Sequence, residues 1–330
     1  MNNSPQWYTA TLVHTEDLSP SIRLFELAVE GGARAWTPGA HIQVRVVVDG
    51  REELRHYSLI ELGRNDGSYR IAVKKIESGM GGSRYMWSLQ AGDSLVISAP
   101  RNQFELGFTA PACTLVAGGV GITPIVSMAH FLATQGKAVR LYYAVRSEAE
   151  AVFAQALRQW LGERLELYIS DLGQRMDLNA IAASTPKDAE LYVCGPITML
   201  EAARSAWQKA GRSLGQLRYE TFASSGHYAN APFTVSIPRL GLTLDVPAHQ
   251  TLLAALEHAG VDVMADCRRG ECGLCALDVL GCDAPIDHRD VFLSEKQKAE
   301  NRSLCACVSR PAHGHLRIDT AYRGSRRQAA

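Results

Sequence analysis

The sequence predicts a chain of three parts: an antiparallel β-barrel, a parallel-sheet α/β domain, and a small α+β domain at the end. Three observations carry this. From Trp7 to about Leu106, short alternating apolar runs are broken repeatedly by Gly and Pro. From Thr114, apolar strands alternate with helical stretches, the pattern of a parallel sheet. Past Phe233, two strands and a helix lead into a loop whose cysteines follow C-x4-C-x2-C.

Composition narrows the function classes. At 330 residues the chain has room for several domains, and 34 basic residues balance 34 acidic ones. That balance argues against a nucleic-acid surface as the main business. The N-terminus lacks a basic stretch followed by an apolar core, and no segment reads as a membrane span, so a cytoplasmic chain is expected. In a reducing compartment, eight cysteines with clustered spacing favour metal ligation over disulfides.

In the first part, strand candidates are Ile42–Val48, Tyr69–Lys74 and a run around Val96-Ile97, with turns at Pro38-Gly39, Asp49-Gly50 and Ala91-Gly92-Asp93. Arg55-His56-Tyr57-Ser58 places a cation, an aromatic and a hydroxyl on one strand. Alternation sends Arg55 and Tyr57 to one side and His56 and Ser58 to the other. Arg55 can grip a phosphate bidentately, Tyr57 can pack on a flat ring, and Ser58 can hydrogen-bond one. A plain mixed strand is the alternative. Gly79-Met80-Gly81-Gly82-Ser83 then runs into a helical stretch, and such a turn presents free N–H groups to an anion.

In the second part, Thr114–Ala117 reads as a buried strand, followed by Gly118-Gly119-Val120-Gly121-Ile122-Thr123-Pro124 and a helical run from Ile125. Strand, glycine turn and helix make a dinucleotide-binding arrangement, with Pro124 suited to the first helical turn. Further strands are expected at Val139–Val145, Leu165–Ile169 and Glu190–Val193, with a helix from Glu148 to Trp160. The last strand ends in Cys194-Gly195-Pro196-Ile197-Thr198-Met199, at the carboxyl edge where such sheets bind ligands.

In the third part, Phe233–Ile237 and Leu242–Val246 suggest a hairpin, and Gln250–Ala259 an amphipathic helix. Cys267, Cys272 and Cys275 supply three thiolates of a [2Fe–2S] site, with Gly270 and Gly273 freeing the backbone around the sulfurs. The fourth thiolate must come from Cys305 or Cys307, which would project to the same side of a strand.

These motifs together carry a resemblance. Arg55-His56-Tyr57-Ser58 resembles the flavin signature of the ferredoxin–NADP reductase superfamily. Gly118–Pro124 and Cys194–Met199 resemble its nicotinamide lobe, and Pro100–Phe104 the end of its flavin barrel in the oxygenase-reductase branch. The last part resembles the β-grasp plant-type ferredoxins. In this order the three are similar to the phthalate dioxygenase reductase type over nearly the whole chain.

The resemblance implies domains at 1–108 (flavin barrel), 109–224 (NAD domain) and 233–330 (ferredoxin), joined across a linker at 225–232. It implies that Arg55, His56, Tyr57, Ser58, Ala72, Val73, Lys74, Gly81, Gly82, Ser83 and Phe222 hold the flavin. Gly118, Gly119, Gly121, Thr123, Pro124, Cys194, Gly195, Pro196 and Met199 would hold the nicotinamide nucleotide. Ser58, Thr123, Cys194 and Glu220 would line the hydride path. Cys-Val-Ser-Arg selects Cys307 over Cys305 as the fourth ligand, beside Cys267, Cys272 and Cys275.

The cofactors implied are FMN rather than FAD, a [2Fe–2S] cluster, and NADH rather than NADPH. Arg146 and Asp171, each following a strand, point opposite ways on the nucleotide, and the branch resemblance decides for NADH. A flavin accepts a pair of electrons from NADH and passes them singly to a cluster near about −400 mV. The implied function is a monomeric NADH-dependent reductase feeding a Rieske-type oxygenase; no Cys-x-His pair of the Rieske kind occurs in the sequence, so electrons are expected to leave to a separate protein. A P450 or diiron hydroxylase as acceptor, or a non-catalytic redox sensor, are the alternatives. Arg268 and Arg269 read first as solvated loop charges, and alternatively as contacts for an acidic docking face.

Overall fold

Alternating burial from Trp7 onward builds strands β1 (Trp7–Asp17), β2 (Ile22–Val29), β3 (Ala40–Val48), β4 (Arg51–Ser58) and β5 (Ser68–Lys74). After them come helix α1 (Gly82–Ser88), β6 (Ser94–Ser98) and the short β7 (Arg101–Asn102). This computed structural model describes residues 6–63, 67–77, 79–107, 109–222 and 226–320. The chain divides into two units, Met1–Glu77 with Gly81–Glu220, and Ser78–Met80 with Thr221–Ala330. Residue 108 and residues 223–225, where the expected domain and linker limits fall, lie outside the described residues.

The first strands form an antiparallel sheet in the order β4-β3-β6-β1-β2-β5, with β7 added on β3. The sheet curls, and just past β4 the Ile60 N–H donates to the Arg70 carbonyl of β5 at 2.9 Å. Leu12, Phe25, Leu27, Ile42, Val44, Ile71 and Ile97 fill the interior, joined by Met86 of α1. The β3–β4 hairpin pairs Val48 with Arg51 across a two-residue turn. Asp49 and Gly50 both take positive φ there, which is why Asp-Gly is the residue pair found.

The same unit continues with β8 (Ala112–Gly118), α2 (Ile122–Thr134), β9 (Ala138–Val145), α3 (Ala154–Leu161) and β10 (Leu165–Ile169). It ends with α4 (Leu178–Ser184), β11 (Glu190–Gly195), α5 (Ile197–Lys209) and β12 (Leu217–Thr221). Their sheet has the order β10-β9-β8-β11-β12, with parallel pairing from β10 through β11. The chain runs outward from β8 to β10 and then returns across it to β11. The gap between β8 and β11 is therefore the topological switch point.

The helix expected from Glu148 begins instead at Ala154. Phe153 adopts a left-handed φ of 63° and breaks the run, leaving a single 3-10 turn at Glu148–Glu150. That turn frees Glu150 to accept from Ser21 Oγ at 2.7 Å and Ser19 Oγ at 3.3 Å, tying the α/β sheet to the barrel. A second tie is Ser127 of α2, whose hydroxyl donates to the Leu59 carbonyl and accepts from the Glu61 N–H.

The second unit holds β13 (Phe233–Ile237), β14 (Leu242–Val246), α6 (Leu252–His258), β15 (Ala276–Cys282), β16 (Ile286–Asp287) and α7 (Glu295–Glu300). It finishes with β17 (Ser303–Cys305), β18 (Arg310–Pro311) and β19 (His315–Asp319). Its main sheet runs β14-β13-β19-β15-β17, with β16 and β18 paired separately. Leu252, Leu253 and Leu256 of α6 are buried in one core with Val235, Ile237, Leu277 and Leu316. Among the described residues no helix is long and apolar enough to cross a membrane.

Candidate functional site

In the barrel, the residues expected to hold a flavin are distributed over both faces of β4 and the neighbouring β5 and α1. The pairing of β4 on β3 sets His56 beside Gln43 and Ser58 beside His41, so these four share one face. His41 and His56 have ring centroids 5.1 Å apart, and Gln43 Nε2 lies 3.5 Å from His56 Nε2. The Ser58 hydroxyl is buried and has no hydrogen-bond partner among the described residues. A buried hydroxyl left so is costly, and a polar ring edge beside it would remove the cost. His41 and Gln43 carried no motif. The register that places them beside Ser58 and His56 is the signal that finds them.

On the other face of β4, Arg55 and Gly82 are packed together. A Cβ on Gly82 would lie 2.7 Å from Arg55 Cγ, so glycine is what lets the first turn of α1 reach the guanidinium stem. Arg55 is held by Glu53 at 2.6 Å. Gly81 precedes α1 with φ +75°, and Ser83 Oγ accepts from the Ile76 N–H at 3.1 Å. Ala72 and Val73 are buried in β5 and Lys74 is half-buried at its end. Trp87 of α1 donates from Nε1 to the Val73 carbonyl at 3.0 Å, which binds α1 to that strand. Tyr57 packs against the barrel core, and burial pushes its phenol above the ordinary range. Glu220 is buried in the first unit, whereas Phe222 is half-buried and belongs to the second.

At the switch point, two motifs about 75 residues apart in the chain meet. Ala117 of β8 pairs with Cys194 of β11, so the turns that follow lie side by side. A Cβ on Gly121 would fall 2.6 Å from the Cys194 carbonyl carbon, and one on Gly118 2.8 Å from both Pro196 Cδ and Met199 Cε. A Cβ on Gly195 would be 2.9 Å from Met199 Sδ. Thr123 is buried, with Oγ1 donating to the Val120 carbonyl at 3.0 Å, and Pro124 lies in the first turn of α2. Gly119, at φ +54°, has open space where a Cβ would stand. The cradle is thus made of backbone, which suits a pyrophosphate and a flat nicotinamide. Arg146 and Asp171 face each other at 3.7 Å at the ends of β9 and β10.

The cysteine loop is built differently. Backbone N–H groups of Arg269, Glu271 and Cys272 each donate to Cys267 Sγ at 3.4 Å. Such N–H···S bonds are a protein's means of tuning a sulfur-ligated iron. Cys272 also bonds Cys267 through its thiol, and burial raises the Cys267 pKa despite the three N–H groups. Hydrogen bonds from the Cys305 and Cys307 thiols pull that of Cys275 down to about 3, while both donors are pushed up in turn. Among the described residues no three His, Cys, Asp or Glu side chains converge on a single ion position. A two-iron cluster spreads four thiolates over two irons, and the sulfurs here lie as Cys267 with Cys272 and Cys275 with Cys305 and Cys307. The donor set fits that group.

Cys305 and Cys307 do not share a strand face as expected. β17 ends at Cys305, and a turn at 306–308 brings Cys307 back so that both thiols reach Cys275. Around them is a buried polar frame that the sequence did not single out. Arg289 pairs with Asp287 at 2.7 Å and donates to Tyr228 and Asn230. Ser309 Oγ donates to Asp290, which also accepts the Leu293 N–H. The run Asp287-His288-Arg289-Asp290, between the loop and the last cysteines, was the signal for it.

Comparison with known proteins gives three family matches along the chain: an oxidoreductase FAD-binding domain at 9–106, an oxidoreductase NAD-binding domain at 115–205, and a 2Fe-2S iron-sulfur cluster binding domain at 236–312. The carnitine monooxygenase reductase subunit of Acinetobacter baumannii is 32% identical over 95% of this chain and 98% of its own. The heme-dependent oxidative N-demethylase beta subunit of Ectopseudomonas mendocina is 36% identical over 92% of this chain and 96% of its own. Among solved structures, phthalate dioxygenase reductase, described as a modular structure for electron transfer from pyridine nucleotides to [2Fe-2S], matches with a TM-score of 0.76. It is 30% identical over 95% of this chain and 98% of that one.

Proposed function

The chain belongs to the phthalate dioxygenase reductase type of oxygenase reductases and is an NADH-dependent flavin and iron–sulfur oxidoreductase; from that premise we propose that it acts as a monomer serving a Rieske-type oxygenase. The observation that carries the reading is end-to-end likeness to reductase components, with the cysteine loop in the last position. Neither a substrate pocket for an aromatic compound nor an oxygen site is needed on such a chain. The test is NADH-driven reduction of purified oxygenase components. Reduction of a Rieske-type component with several turnovers per second is expected, and reduction only of a haem acceptor contradicts it. A haem oxygenase as acceptor is the second reading, favoured by the likeness to a heme-dependent demethylase subunit.

The bound groups supply the electron chemistry: the flavin takes a pair from NADH and the cluster passes electrons on singly. The chain's own residues bind, orient and shield. Arg55, Gly82 and Ser83 hold the flavin phosphate, with Gly81 setting the turn. Ser58 would donate its unpartnered hydroxyl to the flavin ring, with His56 on the same strand face. Tyr57, Ala72, Val73 and Lys74 complete that site. Gly118, Gly119, Gly121, Pro124, Gly195, Pro196 and Met199 bring backbone against the nucleotide. Thr123 and Cys194 position the nicotinamide, and Glu220 lies on the hydride path. Cys267, Cys272, Cys275 and Cys307 ligate the cluster.

The flavin is FMN, on the resemblance of the three-part order. Chromatography of the flavin released by denaturation tests this, since an adenine-containing flavin contradicts it. Selectivity for NADH rests on the branch resemblance, with Asp171, 3.7 Å from Arg146, as the carboxylate that would meet the ribose. Domain limits at 108/109, a linker at 225–232 and a ferredoxin domain from 233 complete the reading.

A further inference from the structure

Electrons that leave through the cysteine loop need a surface on which the acceptor can seat, and the charged residues beside the loop are already engaged. Arg269 is only 5% exposed and pairs within the loop with Glu271 at 3.1 Å. Arg268 is held bidentately by Glu257, at 2.6 and 3.0 Å. One charge buried and paired, and a second paired at the surface, leave little net field to steer a charged partner.

What the loop exposes is apolar. Leu274, between Cys272 and Cys275, is 41% exposed. Phe292 is 48% exposed, and its ring lies directly against Gly273, closely enough that a Cβ there would strike it. The loop fixes this position: the Val291 and Phe292 N–H groups both donate to the Gly270 carbonyl, at 3.0 and 3.2 Å. A side chain at position 273 would displace the ring, and Gly273 takes φ +73°. An aromatic held in a fixed position while half in water, against the glycine that precedes an exposed leucine, has the composition of an interface centre rather than of a solvated loop.

We propose that Leu274 and Phe292 form the contact on which the oxygenase component seats to draw electrons from the iron–sulfur loop, and that the partner's complementary face is apolar rather than acidic. This rests on the reading of the chain as an oxygenase reductase. The engaged arginines commit the surface to a partner recognised by shape and apolar area, with salt acting only weakly.

The test uses the full-length holoprotein. Its probes are a purified Rieske-type oxygenase component and, separately, a haem oxygenase, with Kd measured by calorimetry. Leu274→Gln and Phe292→Ser are each expected to raise Kd about tenfold, the size of an interface anchor. Their visible cluster spectra and NADH–ferricyanide activity should stay as in the wild type. Arg268→Gln, or raising NaCl from 50 to 300 mM, should change Kd less than threefold. The proposal is overturned if Kd is unchanged in Leu274→Gln with the spectrum intact, or if salt and Arg268→Gln raise it tenfold. Binding of the haem oxygenase alone would sink the Rieske reading, and the same variants would then judge the surface against that acceptor.

Discussion

The cysteine loop and the glycine turn at the switch point both press backbone close to where a redox group belongs, but they are assembled by different routes. The loop draws three of its sulfurs from nine consecutive residues, Cys267 to Cys275, with N–H groups of the same loop aimed at Cys267. The glycine turn has no reactive side chain of its own. It depends on β8 lying next to β11, so that Gly118 and Gly121 close on Cys194, Pro196 and Met199. A local site should fail through loss of a ligand, and a distributed one through loss of fit. Substitutions can separate the two.

The largest effect is expected in the loop. Cys307→Ser should abolish the cluster's visible and EPR signals while leaving the flavin bound, and Cys305→Ser should retain them. Retention in the Cys307 variant and loss in the Cys305 one would reverse the assignment. At the switch point, Gly121→Ala puts a methyl 2.6 Å from the Cys194 carbonyl carbon, where only backbone can yield. A displacement of that order lowers NADH-dependent flavin reduction about a hundredfold, as read by anaerobic stopped flow, with the cluster spectrum unchanged.

Gly82→Ala should do less, because the atoms its methyl meets belong to the flexible Arg55 stem. Flavin affinity is expected to fall about tenfold, roughly 1.4 kcal/mol, by titration of the deflavinated protein. An unchanged affinity would remove Arg55 and Gly82 from the phosphate site.

The smallest effect concerns the frame behind the loop. Burial alone would raise the Asp290 pKa, but the His288 ring, 3.8 Å away at Nδ1, and hydrogen bonds from the Leu293 N–H and Ser309 outweigh it and hold the carboxyl below its ordinary 3.8. A depressed folded pKa gives stability that is present above the unfolded value and lost as pH falls through the folded one. Asp290→Asn should therefore cost about 1–3 kcal/mol at neutral pH. The difference from wild type should shrink as pH drops below 3.8, and chemical denaturation across pH measures both.

How much of this was legible follows the same division. C-x4-C-x2-C and Gly-Gly-x-Gly-Ile-Thr-Pro identified two sites because their residues are contiguous. Asp49-Gly50 identified its turn because both positions need positive φ. The start of α3 was not legible, since nothing in the apolar pattern marks Phe153 as left-handed. His41 and Gln43 became part of the Ser58 face only through strand register, and Arg269, read as a solvated loop charge, is instead buried beside Glu271. Pairing across strands and burial of charge are set by the whole fold, so a local reading does not reach them.

The central claim is that electrons enter as a pair at the nucleotide lobe and leave singly from the cysteine loop. Anaerobic titration of the purified holoprotein with NADH, followed by absorbance and EPR, tests it most directly. Bleaching of the flavin accompanied by the EPR signal of a reduced [2Fe–2S] centre is the result expected. A flavin that bleaches while a spectroscopically intact cluster stays oxidised through excess NADH would contradict it.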